Sequence, residues 1–184
     1  MRKLKVLFCK LTMKLCGWKL IHTLPKIDKS VICIAPHTSN WDFFICKLFY
    51  SSLGVKRPKF LMKKEWFFFP LGLIFKHFGG IPVNRKLKTS LTDQVAELFA
   101  KSKELHIGIT PEGTRKAVQE WKYGFYYIAL KAKVPIQLAY LDYKKKEVGL
   151  TYSFFPTGNL EADMAKIKEF YRYVTPCHPK QFIV

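Results

Sequence analysis

Three short apolar runs rich in β-branched residues stand out: Ser30 to Ala35 (SVICIA), His106 to Thr110 (HIGIT) and Pro135 to Asp142 (PIQLAYLD). Segments of helical period separate them, and that alternation is what most constrains the fold. A strand buried on both faces reads as a nearly continuous apolar run, the signature of a sheet covered by helices on each side. The same reading gives helices over about Trp41 to Ser52, Tyr123 to Lys131 and Leu160 to Tyr173, and one marked by Leu91, Val95, Leu98 and Phe99 that Thr89 or Ser90 caps. Pro58 to Met62, Ile81 to Val83 and Gly149 to Phe154 read as further strands, the last entered through the charged turn Lys144 to Glu147. Glu65 to Phe78 is apolar almost all round and reads as a buried or membrane-dipping helix. The expected fold class is therefore α/β: a single domain with a largely parallel, mixed sheet flanked by helices and an antiparallel edge. A chain of 184 residues suits one such core and is short for two.

The N-terminus differs from the rest. Leu4, Leu7, Phe8, Leu11, Leu15 and Trp18 recur at helical spacing on one face, with Lys3, Lys10 and Lys14 along its flank. Such a helix either packs on the domain or lies in a membrane interface. The chain is accordingly divided into an interfacial helix over residues 1–24 and a domain over residues 25–184. The longest charge-free apolar stretch, Trp66 to Phe75, falls well short of the ~20 residues a spanning helix needs.

Net charge is +19, and residues 1–64 hold fourteen basic side chains against only Asp28 and Asp42. A field of that kind draws in polyanions: an anionic bilayer, an acidic protein or nucleic acid. No helix-turn-helix, zinc-finger or RNP-type signature supports nucleic acid. The five cysteines form no C-x-x-C pair and read as reduced thiols of a cytosolic protein. Cys177-His178 lacks the partners a zinc site requires, so no metal is expected.

Three polar clusters each follow a strand: Pro36-His37-Thr38-Ser39-Asn40-Trp41-Asp42, Gly79-Gly80-Ile81-Pro82-Val83-Asn84-Arg85 and Thr110-Pro111-Glu112-Gly113-Thr114-Arg115. In open α/β sheets ligands sit beyond the carboxyl ends of strands, where these clusters can converge. Ser39 and Asp42 have capping-box spacing. His37 is either a satisfied core imidazole or a base whose tautomer Asp42, one turn into the following helix, fixes. Ser39 as a covalent nucleophile is the rival reading, although its hydroxyl is better used as a cap. Arg85 suits a phosphate or carboxylate, or is a surface arginine. Glu112 sits between Pro111 and Gly113 in a tight loop, where hydroxyl binding or pairing with Arg115 fits better than contact with phosphate. Trp66 to Phe75 offers an acyl chain an apolar wall or packs in the core. Lys63 and Lys64 meet an anion or remain solvated.

Taken together, these motifs resemble the glycerolipid acyltransferases, the lysophospholipid or 1-acylglycerol-3-phosphate acyltransferase superfamily. HTSNWD is similar to its H-x-x-x-x-D block, GGIPVNR to its second block, PEGTR to its third and Val134-Pro135-Ile136 to its fourth, and the connector KKEWFFFPLGLIFKHFGG also resembles the family. The resemblance spans roughly Val31 to Asp142. It implies a glycerol-3-phosphate acyltransferase-like fold with His37 as general base on an acceptor hydroxyl and Asp42 as its orienting partner. It also implies Arg85 on the acceptor anion, with Glu112, Gly113, Thr114 and Arg115 binding or supporting the acceptor. The donor implied is an acyl thioester of acyl carrier protein or coenzyme A, serving as co-substrate with no tightly bound cofactor and no metal. The setting implied is the cytoplasmic face of an anionic membrane, held peripherally, with a lysolipid acceptor and no nucleic acid. Pro36, Thr38, Thr110 and Lys116 depart from common family residues and leave the acceptor open among lysophosphatidic acid, another lysophospholipid and a lyso-amino-acid lipid. The other class of reading is a non-catalytic basic module for lipid headgroups or nucleic acid.

Overall fold

The computed structural model describes residues 2–55, 57–84 and 90–184. Among these, seven strands form one sheet in the order β1-β7-β6-β2-β5-β3-β4. The strands are β1 (Lys19–His22), β2 (Lys29–Ile34), β3 (Lys59–Lys63), β4 (Gly80–Val83), β5 (Leu105–Ile109), β6 (Ile136–Asp142) and β7 (Glu147–Phe154). The helices are α1 (Arg2–Leu15), α2 (Trp41–Ser52), α3 (Leu71–Phe78), α4 (Leu91–Lys101), α5 (Gly124–Ala132) and α6 (Leu160–Tyr171). Every ladder is parallel except the β6–β7 hairpin, so the expected antiparallel element is present. It lies one strand inside the sheet, because β1 pairs in parallel beyond β7, from Lys19 opposite Glu147 to His22 opposite Leu150.

Alternation along β2 shows how the core divides. Val31, Cys33 and Ala35 join one buried cluster with Val95 and Phe99 of α4, Phe125 of α5 and Ile167 of α6. Ile32 points the other way, into a cluster with Met13 of α1 and Ile45, Phe49 and Tyr50 of α2. That period of two explains the unbroken apolar run: both faces are covered, so no position can be polar without a partner. Ser30, fully buried, has partners: its Oγ lies 2.7 Å from His106 Nδ1 and donates to Gln137 Oε1 at 2.8 Å. Phe125 is wholly enclosed, and truncation of such a ring to alanine costs about 3–5 kcal/mol.

Three departures from the sequence reading have physical causes. The segment 65–78 is not one helix: a 3-10 turn (Lys64–Trp66) precedes α3, and Pro70, which lacks an amide proton, separates them. The chain doubles back so closely there that a Cβ on Gly72 would stand 2.6 Å from the Phe67 carbonyl oxygen. Trp18 does not continue the face of α1: the helix ends at Leu15, and the indole packs edge-on against Tyr143 with centroids 5.2 Å apart. Finally, Lys19–His22 lies inside the segment read as interfacial helix, yet it forms the sheet edge.

The apolar face of α1 itself points outward. Leu4, Leu7, Phe8, Leu11 and Leu15 are exposed, from 52% to 78%, while Cys9 and Met13 on the opposite side are buried. Of the two readings of this helix, packing on the domain therefore falls to its narrower face.

Candidate active site

Strand β2 ends beside β5, with Cys33 opposite Ile109, and that register sets the loops following the two strands next to each other. His37 lies in the loop after β2 and Asp42 five positions on, in the first turn of α2, so the pair straddles the strand-to-helix turn. Asp42 Oδ2 lies 3.2 Å from His37 Nδ1 and accepts the amides of Thr38 and Ser39, each at 2.9 Å. Ser39 Oγ in turn accepts the Trp41 amide at 3.2 Å. Half of the expected capping box is thus present, since Asp42 takes the Ser39 amide while Ser39 Oγ takes that of Trp41, and α2 itself starts after Asn40; one carboxylate oxygen serves both this turn and the imidazole.

Asp42 is 2% exposed. Burial alone would push its carboxyl up, but hydrogen bonds from His37, Tyr143 and the Ser39 amide outweigh burial and hold it below the ordinary carboxylate value. The His37 ring, 25% exposed, lines a cavity of about 530 Å³, and among the described residues nothing bonds its Nε2. An Nδ1–H directed at a carboxylate leaves Nε2 as the acceptor of a proton.

The third polar cluster supports the first from behind. Glu112 is 2% exposed, and its Oε1 accepts the His37 amide at 2.8 Å. Burial pushes its carboxyl above the ordinary range, and the nearby Asp42 charge adds to that. Among the described residues Glu112 Oε2 is buried without a hydrogen-bond partner, and the side chain holds the His37 backbone and does not line the cavity. Gly113 does line the cavity, at φ 65, where the left-handed backbone suits glycine and a Cβ would stand 2.9 Å from Lys122 Nζ. Arg115 Nη1 donates to Asn40 Oδ1, which ties the two loops together. Thr114 Oγ1 accepts the Lys116 amide at 3.3 Å within its own loop. Arg85 lies outside the described residues.

An imidazole held by a buried carboxylate over a largely apolar cavity is equipped to activate a hydroxyl. The acyltransferase family model matches residues 19–140. The chain belongs to the acyltransferase family. Its fold is also that of the 1-acyl-sn-glycerophosphate (LPA) acyltransferase PlsC from Thermotoga maritima, with a TM-score of 0.60 at 18% identity over 92% of this chain and 76% of that one. No curated protein matches the chain.

The acyltransferase's cavity has a character the sequence did not disclose. Its apolar wall comes from Phe43 of α2, Phe60 of β3, Phe78 of α3 and Phe125 of α5. The stretch 66–75 supplies none of it, and Trp66, Phe68, Phe69, Leu73 and Ile74 are exposed instead. Lys47, Arg57, Lys59 and Lys122 provide cations along the lining, whereas Lys63 and Lys64 are exposed elsewhere. Lys47 Nζ sits 3.7 Å from the Phe78 ring centroid; burial and the neighbouring Arg57 and Lys5 charges lower its proton affinity. None of these cations sits in a recognisable motif: the density of charge in the first third of the sequence signalled Lys47, Arg57 and Lys59, and nothing singled out Lys122. Cys46 also reaches the cavity, but burial pushes its thiol up to about 12, which leaves it un-ionised and a poor nucleophile. Ser39 does not line the cavity and its oxygen holds the Trp41 amide, so neither group is placed as a covalent nucleophile. No cluster of His, Cys, Asp and Glu that would hold a metal ion occurs among the described residues.

Proposed function

We propose that this acyltransferase moves a fatty acyl group from an acyl thioester of acyl carrier protein or coenzyme A to the hydroxyl of a lysophospholipid such as 1-acylglycerol-3-phosphate. The observation that carries the reading is the His37 ring, bonded through Nδ1 to buried Asp42 and facing the cavity with Nε2 unpartnered among the described residues. In this mechanism Nε2 takes the hydroxyl proton as the oxygen attacks the thioester carbonyl carbon. The C–S bond then breaks, the imidazolium returns its proton to the leaving sulfur, and no acyl-enzyme forms. A hydroxyl is about as reluctant to ionise as water, with pKa ~15.7, so proton removal during attack is what the reaction needs.

The cavity supports a lipid acceptor bearing an anion. Phenylalanines offer an acyl chain ~0.8 kcal/mol per buried CH₂, while Arg57, Lys59, Lys122 and, in this reading, Arg85 attract phosphate. The PlsC structural neighbour acts on 1-acyl-sn-glycerophosphate, which favours that acceptor over a lyso-amino-acid lipid.

In the same reading the protein works peripherally at the cytoplasmic face of an anionic membrane. No helix among the described residues is long and apolar enough to cross one. Exposed apolar side chains instead concentrate on α1, on Trp41 and Phe44 of α2, and on the 66–74 segment. With the net charge of +19 they suit an interface whose core is hydrocarbon and whose surface is negative. A module for nucleic acid would have no use for an outward apolar helix face.

The test is direct. Purified protein given a panel of lysolipids and both thioester donors should release free thiol fastest with a phosphate-bearing acceptor. His37→Ala should lose roughly 10²–10⁴ of that rate while remaining folded. A folded variant that keeps its rate removes the mechanism, and preference for a zwitterionic or amino-acid lipid removes the acceptor.

A further inference from the structure

The residue that completes the dyad comes from the end of β6, the strand paired with β2. Asp42 Oδ1, the oxygen turned away from His37, accepts a hydrogen bond from Tyr143 Oη at 2.6 Å. That length belongs to the short, charge-assisted class of O–H···O⁻ bonds. Tyr143 follows directly on β6, and its own amide donates to the Thr175 carbonyl at 2.8 Å, which anchors the backbone at the β6 end. The ring is held a second time by the edge-to-face contact with Trp18, the residue immediately before β1. The two oxygens of Asp42 are thus fixed from independent directions: Oδ2 by the amides of its own turn, Oδ1 by a phenol more than a hundred residues away.

We infer that Tyr143 is a positioning residue for acyl transfer: its hydroxyl fixes the plane of the Asp42 carboxylate, and thereby the His37 imidazole, while Trp18 braces the phenol ring. The inference rests on the reading of His37 as general base. Oδ2 alone leaves the carboxylate free to tilt about its last torsion, and the imidazole, whose Nδ1 partner among the described residues is this carboxylate, tilts with it. Tyr143 does not touch the cavity and is not itself a proton donor to substrate. Burial and the Asp42 charge raise its phenol well above the ordinary value, so it remains a hydrogen donor throughout the working range. If positioning is the role, removal of the hydroxyl lowers kcat and leaves the affinity for both substrates alone, because neither substrate meets the ring. Trp18 then acts only through Tyr143, and its removal has no consequence once the hydroxyl is gone.

The experiment compares Tyr143→Phe, Trp18→Ala and the double variant with wild type and with His37→Ala, using lysophosphatidic acid and palmitoyl-coenzyme A. Tyr143→Phe keeps the ring and its Trp18 contact, and is expected to lower kcat about 10- to 50-fold with both KM values within twofold. Trp18→Ala should lower kcat about threefold alone and not at all in the Tyr143→Phe background. Proton NMR of protein labelled with ¹⁵N in its histidine rings provides a readout independent of turnover. The His37 Nδ1–H resonance should be sharp in wild type and broadened by solvent exchange in Tyr143→Phe. Wild-type kcat in Tyr143→Phe, an unchanged Nδ1–H resonance, or additive losses in the double variant each overturn the assignment. An active His37→Ala would instead overturn the base itself, so the two failures can be told apart.

Discussion

The carboxyl end of β2 and the outer rim of the molecule are built from opposite materials. At the strand end nearly every polar atom has a partner: Asp42 accepts from His37, Thr38, Ser39 and Tyr143, and Glu112 holds the His37 amide. On the rim, formed by α1 and the 66–74 segment, large apolar side chains such as Leu7, Phe8, Phe69 and Leu73 have no cover. The first region is specified by geometry and tolerates little displacement, because buried hydrogen bonds are lost abruptly with distance and angle. The second is specified by area alone, which a fluid surface can match in many orientations. In the proposed reading, chemistry and membrane docking are therefore separable.

The sharpest way to break that contrast is at His37. His37→Ala should remove about 10²–10⁴ of the turnover in a thiol-release assay and leave vesicle binding unaltered. Loss of both would show that the regions are one. The reciprocal experiment replaces Leu7, Phe8 and Leu11 with serine. Each side chain contributes up to about 1.5–3 kcal/mol when fully buried, so partial insertion of three predicts vesicle affinity lower by roughly 100-fold. Turnover of a water-soluble, short-chain acceptor should stay within twofold. Sedimentation with anionic liposomes measures the first quantity, and undiminished sedimentation would reject the interfacial face.

Glu112 sharpens the comparison from within the ordered region. Glu112→Ala releases the His37 amide but leaves the Asp42 contacts in place. The expected loss is about tenfold in kcat, smaller than that of the base, with little change in acceptor KM because the carboxylate does not reach the cavity. A large rise in acceptor KM would instead make Glu112 a binding group, as the resemblance implied. The smallest effect concerns pH. Asp42 is depressed in the fold, so its contribution to stability is full above the unfolded carboxylate value of about 3.9 and drains as pH falls through the lower folded value. Asp42→Asn, though less stable at neutral pH, should therefore show a flatter loss of stability below about pH 4 in urea melts. An unchanged slope would mean that the carboxylate is not specially stabilised.

Much of this was legible in the residues, and the reasons are local. Strand β2 and its helix α2 were readable because apolar run, turn and cap lie within two dozen consecutive positions. His37 and Asp42 were readable because one turn separates them, and Asp42→Ser39 capping is itself a sequence signal. Strand β1 was missed: four residues, KLIH, carry too little pattern, and only pairing with β7 makes them a strand. The role of Glu112 was also hidden, since whether a carboxylate faces a cavity or a neighbouring amide depends on how β2 and β5 register. Tyr143 left no trace at all, being a tyrosine at a strand end whose partner is distant in the chain. Arg57 and Lys122 were visible only as part of a charge surplus, because convergence on a cavity is a property of the whole sheet.

In the proposed mechanism, the carboxylate that holds the turn into α2 and the one that orients the base are one group. Any drift that loosened the imidazole's partner would also fray the first turn of a helix whose Phe49 is wholly enclosed in the core. Selection for a folded protein therefore guards the reactive pair without reference to catalysis. In that reading the cationic lining, which closes no helix turn, is free to diverge toward new headgroups while the proton-moving pair stays fixed.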